Sequence, residues 1–185
     1  MKQVATAQQV ISTLDVEFVK HIEEAVKLVV RCLKSNGGLY LVGNGGSAAD
    51  AQHWAGELVG RFMLEREPLR ACALTTNTSI LTALVNDYPP EYVFARQMKA
   101  MARQGDVLIA ISTSGNSPNI IYAIDIAREI GCQVIGFTGK NGGRMNGICD
   151  VLIKAPSDST PRIQEVHLLA GHMLCAGVER IIFGI

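Results

Sequence analysis

The stretch GLYLVGNGGSAADAQHWAGELVG, residues 38–60, joins an apolar run, a glycine-rich turn and a helix pattern without interruption. Residues 39–42 are a short apolar run, which is typical of a buried β-strand. The glycines of the following turn, residues 43–47, allow positive φ angles and a close approach of the backbone to a ligand. The alanine-rich residues after the turn predict a helix. We therefore expect a strand, a tight turn and a helix in immediate succession.

The start of this predicted helix and one of its faces carry groups that could bind a substrate. Free N–H groups in the first turn of a helix favour an anion. His53 and Glu57 are four residues apart, so they lie on one helix face. An anion-accepting turn near a His/Glu pair suits a small phosphorylated substrate. Because the turn matches neither the P-loop nor the full Gly-x-Gly-x-x-Gly fingerprint, a purely structural turn with a surface His/Glu pair is the alternative.

The composition is that of a soluble globular protein with one domain. The chain has 185 residues, of which 48% are hydrophobic and 18% are charged. Lys and Arg together number 17, as do Asp and Glu together, so no basic field indicates nucleic-acid binding. A phosphate group would therefore be held by local geometry and not by bulk charge.

The cysteines and the N-terminal residues bear on localisation. Five cysteines are widely spaced and form no Cys-x-x-Cys pair, which predicts buried free thiols in a reducing compartment: Cys32, Cys72, Cys132, Cys149 and Cys175. The first residues lack the apolar core of a signal peptide, and we expect no segment long enough to span a membrane. These features predict a cytoplasmic protein.

Apolar runs and amphipathic patterns alternate along the chain. Strands are predicted over residues 39–42, 70–74, 106–111, 133–137 and 151–153. An amphipathic helix is predicted over residues 18–34, and later helices follow the proline pair at 89–90, cover residues 119–130, and run from a cap at 157–161 to about residue 182. This alternation predicts a single α/β domain over residues 1–185, with 1–36 as an N-terminal helical segment and a parallel sheet covered by helices on both faces.

Polar loops follow four of the predicted strands. In parallel sheets, ligands bind at the carboxyl ends of the strands. The loops that fall there, and that we expect to converge on one edge of the sheet, are residues 43–47, 75–77, 112–117 and 138–139.

The loop at residues 112–117 carries four hydroxyl groups between a strand and a helix start. Ser112, Thr113, Ser114 and Ser117 supply hydroxyl donors, and backbone N–H groups at the helix N-terminus add to them. We expect this loop to bind a phosphate. The alternative is a helix cap, which would need one serine and not three plus a threonine.

The final predicted helix carries further polar groups. Gln164 and His172 lie about 80° apart around the helix axis, whereas His167 lies about 140° from His172. Gln164 and His172 could therefore complete a metal centre with His53 and Glu57. The alternative is that a histidine on this apolar helix is a satisfied core residue, and Gln is an uncommon zinc ligand.

Taken together, these motifs resemble the phosphoheptose isomerase branch of the sugar isomerase (SIS) domain family. The likeness covers nearly the whole chain, and the motifs that carry it are residues 43–53 with Glu57 and Gly60-Arg61, Asn86-Asp87, residues 111–117, residues 138–143 and residues 162–167. Pro161 departs from the acidic residue that some members carry at that position.

The resemblance implies a flavodoxin-like SIS domain with a five-stranded parallel sheet. It implies a homotetramer, with the N-terminal and C-terminal helices in oligomer contacts and with active sites built at subunit junctions. Members of the branch convert sedoheptulose 7-phosphate into D-glycero-D-manno-heptose 7-phosphate, the first step towards the heptose of lipopolysaccharide and related glycans. Aldose–ketose exchange of this kind passes through an enediol and needs an acid and a base.

The resemblance also implies residue functions at the matching positions. Glu57 and His172 match the proposed acid–base pair. One Zn²⁺ per subunit would be held by His53, Glu57, Gln164 and His172. The positions that match substrate contacts are Asn44, Gly45, Gly46, Ser47, Glu57, Asn86, Asp87, Ser112, Thr113, Ser114, Ser117 and Gln164. Because one carboxylate cannot easily ligate a metal and take a carbon-bound proton at the same instant, Glu57 has two competing assignments.

Two other classes of protein share this domain. Some relatives are non-catalytic adaptors that bind a replication initiator protein, and these lack the acid–base residues. The presence of Glu57 and His172 favours an enzyme. A regulatory sugar-phosphate sensor would need an attached DNA-binding domain, for which this chain has no room. The apolar circumference of the final helix favours burial against partner helices, in agreement with a homotetramer.

Overall fold

The computed structural model describes residues 1–184, which form seven α-helices and five strands; the five strands are the predicted ones, whereas the helix over Thr78–Asp87 was not predicted. The elements are α1 (Lys2–Ser12), α2 (Val16–Lys34), β1 (Leu39–Gly43), α3 (Gly46–Val59), β2 (Ala71–Ala73), α4 (Thr78–Asp87), α5 (Tyr92–Met101), β3 (Val107–Ile111), α6 (Pro118–Ile130), β4 (Gln133–Thr138), a 3₁₀ turn (Gly143–Met145), β5 (Val151–Lys154) and α7 (Thr160–Phe183).

The five strands form one parallel sheet in the order β2-β1-β3-β4-β5, which is the flavodoxin-like order. Gly43, the last residue of β1, is in register with Ile111, the last residue of β3. The chain leaves these adjacent strands towards opposite edges of the sheet, so a crevice opens between their carboxyl ends. The predicted fold class is confirmed, and the glycine turn and the Ser112 loop lie at this crevice.

Helices cover both faces of the sheet. On one face, α2, α3 and α7 pack over Leu39, Leu41, Ile109 and Phe137. On the other face, α5 and α6 pack over the strand residues whose side chains point in the opposite direction, including Leu108 and Val134. Because successive side chains of a strand point to opposite faces, a continuous apolar run serves both layers.

The N-terminal segment consists of two helices separated at Asp15. The Asp15 carboxylate accepts a hydrogen bond of 2.9 Å from the backbone N–H of Phe18 and so begins α2 two residues before the predicted start. α1 has no buried residue, and its contact with the rest of the chain includes a hydrogen bond of 2.8 Å from Arg162 to the carbonyl oxygen of Gln3.

Two sequence predictions are wrong in part. α7, which has 24 residues, is long and apolar enough to cross a membrane by length and composition alone, contrary to our expectation. Its inward side is fully buried in the core at Val166, Ala170, Leu174 and Val178, as in core helices of soluble proteins. All five cysteines are free, but Cys72 is exposed on the edge strand β2, and Cys149 is only partly buried.

Candidate active site

The glycine turn lies between β1 and α3 and is shaped for close backbone contacts. Gly45 has a φ of 54°, which other residues rarely adopt, and it precedes the first residue of α3. A Cβ on Gly46 would collide with the side-chain amide of Gln164 from α7. The turn therefore admits Gln164 directly above the N-terminus of α3, which is where an anion is favoured.

The crevice has a polar link across it. The side-chain amides of Asn44 and Asn119 exchange two hydrogen bonds of 2.9 and 2.8 Å. Asn44 follows β1 and Asn119 lies in the first turn of α6, so the pair joins the two loops at the switch point of the sheet. Of this pair, the sequence analysis identified only Asn44.

Three predicted residues meet where α3 and α7 face each other. The Nε2 atoms of His53 and His172 are 2.9 Å apart, and the Nε2 atom of His53 is 3.5 Å from Oε1 of Glu57. The predicted placement of His53 and Glu57 on one face of α3 is confirmed. His53 is exposed, and Glu57 and His172 are partly buried, so a substrate can reach the cluster.

The donor set of this cluster fits a divalent metal. One ligand atom from each of His53, Glu57 and His172 lies within 4.8 Å of the others. Tetrahedral zinc with bonds of about 2.0–2.2 Å to imidazole and carboxylate places its ligand atoms roughly 3.3–3.6 Å apart. The His53–Glu57 separation of 3.5 Å matches this range, and the His53–His172 separation of 2.9 Å is slightly shorter. Gln164 contacts Gly46, and its membership of the ligand set stays a prediction.

The loop after β3 presents its hydroxyl groups to one another. Oγ of Ser112 is 3.0 Å from Oγ of Ser117 and 3.5 Å from Oγ of Ser114. Ser117 stands at the N-cap position of α6, yet its side chain makes no capping hydrogen bond. Within residues 1–184 the hydroxyl of Ser117 is therefore not used as a cap, which favours the anion-binding interpretation over the helix-cap alternative.

Asn86 and Asp87 lie at the C-terminal end of α4 and are both exposed. The amide of Asn86 donates a hydrogen bond of 2.8 Å to the carboxylate of Asp87. Their contact with a sugar stays a prediction.

His167 belongs to the core and not to the His53–His172 cluster. Its Nε2 atom is 3.1 Å from the carbonyl oxygen of Thr138, at the end of β4, and its side chain is fully buried. Burial lowers the pKa of His167 to about 4, so the imidazole is neutral near pH 7. The sequence prediction that His167 and His172 do not belong to one site is confirmed.

A buried ion pair beside the cluster was missed by the sequence analysis. Arg66 and Glu179 lie 2.9 Å apart, and each side chain is 2% exposed. Burial opposes ionisation of Glu179, but hydrogen bonds from Met63, Phe62 and Arg66 lower its pKa below the ordinary value. The sequence did contain one indication of this pair: Glu179 lies within an apolar helix, and a buried charge needs a partner of opposite charge.

Comparison with known proteins assigns the family. The SIS domain profile matches residues 4–139. A phosphoheptose isomerase of Aliarcobacter butzleri is 50% identical over 97% of this chain and 95% of its own length. One from Rhodospirillum rubrum is 54% identical over 85% of this chain and 84% of its own length.

The structural comparison agrees with the sequence comparison. The solved structure of a phosphoheptose isomerase from Neisseria gonorrhoeae superimposes with a TM-score of 0.91 at 42% identity, covering 96% of this chain and 95% of that one. The fold is thus that of a known family. The chain belongs to the SIS domain family and, within it, to the phosphoheptose isomerases.

Proposed function

We propose that this protein is an aldose–ketose isomerase that converts sedoheptulose 7-phosphate into D-glycero-D-manno-heptose 7-phosphate. The observation that carries the proposal is the cluster of His53, Glu57 and His172 between α3 and α7, in a chain that also has a hydroxyl-rich loop after β3. The relatives of Aliarcobacter and Rhodospirillum, both named phosphoheptose isomerase, support the same substrate class. A non-catalytic adaptor would not need imidazoles and a carboxylate gathered in one cluster.

The phosphate is bound by the loop that follows β3. Ser112, Thr113, Ser114 and Ser117 donate hydroxyl hydrogen bonds, and the N-terminus of α6 adds backbone N–H groups and a favourable dipole. The chain of sugar carbons then runs across the crevice towards α3 and α7. Its hydroxyl groups contact the remaining members of the substrate set, which are Asn44, Gly45, Gly46, Ser47, Glu57, Asn86, Asp87 and Gln164.

The proton transfer uses the two titratable groups of the cluster. Glu57 takes the proton from C1 of the ketose and returns it to C2, and His172 moves the proton between the O1 and O2 oxygens. These steps convert the ketose into an enediol and then into the aldose, with no net gain or loss of protons. Positioned acid–base groups of this kind contribute about 10²–10⁴-fold to a rate.

One Zn²⁺ per subunit would be held by His53, His172, Gln164 and Glu57. When bound, the ion would polarise the substrate oxygens and stabilise the charge of the enediolate. Because one carboxylate cannot easily ligate an ion and take a carbon-bound proton at the same instant, we assign Glu57 to proton transfer in the step between C1 and C2 and to the ion only outside that step.

Assembly and location complete the proposal. The exposed apolar residues of α7, Leu168, Leu169 and Ile181, support a homotetramer with active sites at subunit junctions. Five free cysteines support a reducing compartment, the cytoplasm. The product would enter the synthesis of the heptose of lipopolysaccharide or a related glycan.

The direct test is to incubate the purified protein with sedoheptulose 7-phosphate and to follow the sugar by NMR. We expect signals of the aldose 7-phosphate to appear until equilibrium is reached. Unphosphorylated sedoheptulose is the matched control, and it should react far more slowly because it lacks the group that the Ser112 loop binds. Folded protein that leaves the phosphorylated sugar unchanged would contradict the proposal and would favour the adaptor.

A further inference from the structure

The imidazole of His172 lies between two other rings. The ring of His53 meets it edge-on, with centroids 5.2 Å apart and planes at 76°. The ring of Phe62 stacks on it, with centroids 5.5 Å apart and planes at 26°. Rings at these separations attract each other in both arrangements. The orientation of His172 is therefore fixed by a contact on its edge and a contact on its face.

The backbone of Phe62 is also fixed in place by hydrogen bonds. The carboxylate of Glu179 accepts hydrogen bonds of 2.9 Å from the N–H groups of both Phe62 and Met63. The same carboxylate accepts a bond of 2.9 Å from Arg66. Because Glu179 lies two turns beyond His172 on α7, the segment that carries Phe62 is tied to the helix that carries His172.

The arginine of this network reaches the other helix of the cluster. Arg66 donates hydrogen bonds of 2.7 Å to the carbonyl oxygens of Glu57 and Leu58, at the C-terminal end of α3. These carbonyl groups have no partner within the helix, so the guanidinium satisfies them. The segment after α3 is thus bound to the helix of Glu57 and to the helix of His172 at once.

We propose that Phe62 is a positioning residue, whose ring, fixed by the Glu179 carboxylate, holds the imidazole of His172 facing His53 and the substrate. This inference rests on the proposed function for its kinetic consequence. Phe62 does not touch the reacting carbons. It acts through His172, whose ring it stacks on, as groups outside the reacting atoms orient metal-ligating imidazoles elsewhere.

The test compares two substitutions at one position. Phe62→Leu keeps an apolar side chain but removes the aromatic face, and we expect kcat to fall about tenfold with KM within twofold, because only proton transfer is affected. Phe62→Tyr keeps the ring and should retain kcat within twofold. Phe183→Leu is the matched control. Phe183 lies about three turns beyond His172 on α7, with its ring 5.7 Å from the guanidinium of Arg66, so its loss should leave kcat within twofold.

A spectroscopic measurement tests the contact without activity. Stacking shields the ring protons of His172, so Phe62→Leu should move its ¹H resonances downfield, whereas Phe62→Tyr and Phe183→Leu should not. Unchanged resonances and unchanged kcat in Phe62→Leu would overturn the proposal, as would equal losses in Phe62→Leu and Phe183→Leu. A wild-type protein without isomerase activity would refute the proposed function, and the resonance shift would still decide the stacking contact.

Discussion

Trp54 of α3 packs directly against the backbone of Gly171 of α7, and a Cβ at position 171 would overlap its indole. The indole is fully buried. Because His53 and His172 are the chain neighbours of these two residues, the close approach of the helices also brings the two imidazoles within 2.9 Å. The contact between His53 and His172 therefore requires glycine at position 171.

Gly171→Ala should lower both stability and kcat. Overpacking of a core typically costs about 1–3 kcal/mol, which exceeds the roughly 0.8–1.0 kcal/mol that alanine gains over glycine in a helix. The displaced helices would separate His53 from His172. Gly56→Ala is the matched control on α3, because nothing lies within 4 Å of the added Cβ. Thermal unfolding should show a lower Tm for Gly171→Ala only, and an equal or higher Tm would contradict this account of the contact.

Removal of a hydroxyl from the loop after β3 should weaken substrate binding. Ser114→Ala and Ser117→Ala should raise KM more than they lower kcat, because contacts to the phosphate are largely the same in the ground state and the transition state. Steady-state kinetics with the sugar phosphate measures both parameters. Ser35→Ala, an exposed serine after α2, is the control. An unchanged KM in both loop variants would exclude the loop as the phosphate site.

Glu179 should make stability depend on pH in the acidic range. Its pKa in the folded protein is below the ordinary value of about 4.3. Its contribution is therefore complete above the pKa of the unfolded chain and is lost as pH falls through the folded pKa. Glu179→Gln leaves Arg66 buried without its partner and should cost about 3–5 kcal/mol at neutral pH.

Denaturant unfolding of the wild type and of Glu179→Gln, repeated from neutral to acidic pH, measures this contribution. The difference in unfolding free energy should shrink as the pH falls below about 4.3. A difference that is constant across this range would show that the charge of Glu179 is not what stabilises the fold.

The apolar surface of α7 predicts an assembly. Leu168 and Leu169 are exposed on the side of α7 away from the core, and Ile181 is exposed near the C-terminal end of the helix. Burial of these side chains against other copies of the chain would remove apolar area from water. Light scattering at micromolar concentration should therefore give the mass of four chains. A monomer under these conditions would contradict the tetramer and the placement of active sites at subunit junctions.

The fold was predictable because its signals are local. Apolar runs such as residues 107–111 are buried on both faces, and glycine-rich or hydroxyl-rich turns mark where each strand ends. The spacing of His53 and Glu57 likewise follows from one helix. The expectation that no segment is long and apolar enough to span a membrane was wrong for α7, and the sequence alone does not reveal that the inward side of this helix is buried in the core.

The rest of the site depends on contacts between residues far apart in the chain. The meeting of His53 with His172 spans 119 positions, and helix geometry made it only one of two alternatives until the resemblance to a family favoured it. The pairing of Arg66 with Glu179 and the stacking of Phe62 on His172 carry no periodic signal. The close packing of Trp54 on Gly171 was hidden for the same reason, since a glycine within a helix pattern does not reveal its neighbour.

The central claim is that Glu57 moves the proton between C1 and C2 of the sugar. Glu57→Gln keeps the shape of the side chain and removes the basic carboxylate, so it should lower the rate by about 10²–10⁴-fold with the fold intact. Glu129→Gln is the matched control, because Glu129 is exposed in the last turn of α6, a helix on the other face of the sheet from α3. Metal content has to be equal in all samples, since loss of a bound ion could mimic the defect.

The decisive measurement is deuterium incorporation during isomerisation in D₂O, followed by NMR. Wild-type protein and Glu129→Gln should place deuterium at C2 of the aldose, because the transferred proton exchanges with solvent on the Glu57 carboxylate. Glu57→Gln should give neither the aldose nor the label. Isomerisation and labelling by Glu57→Gln at the wild-type rate would contradict the assignment of Glu57 as the base.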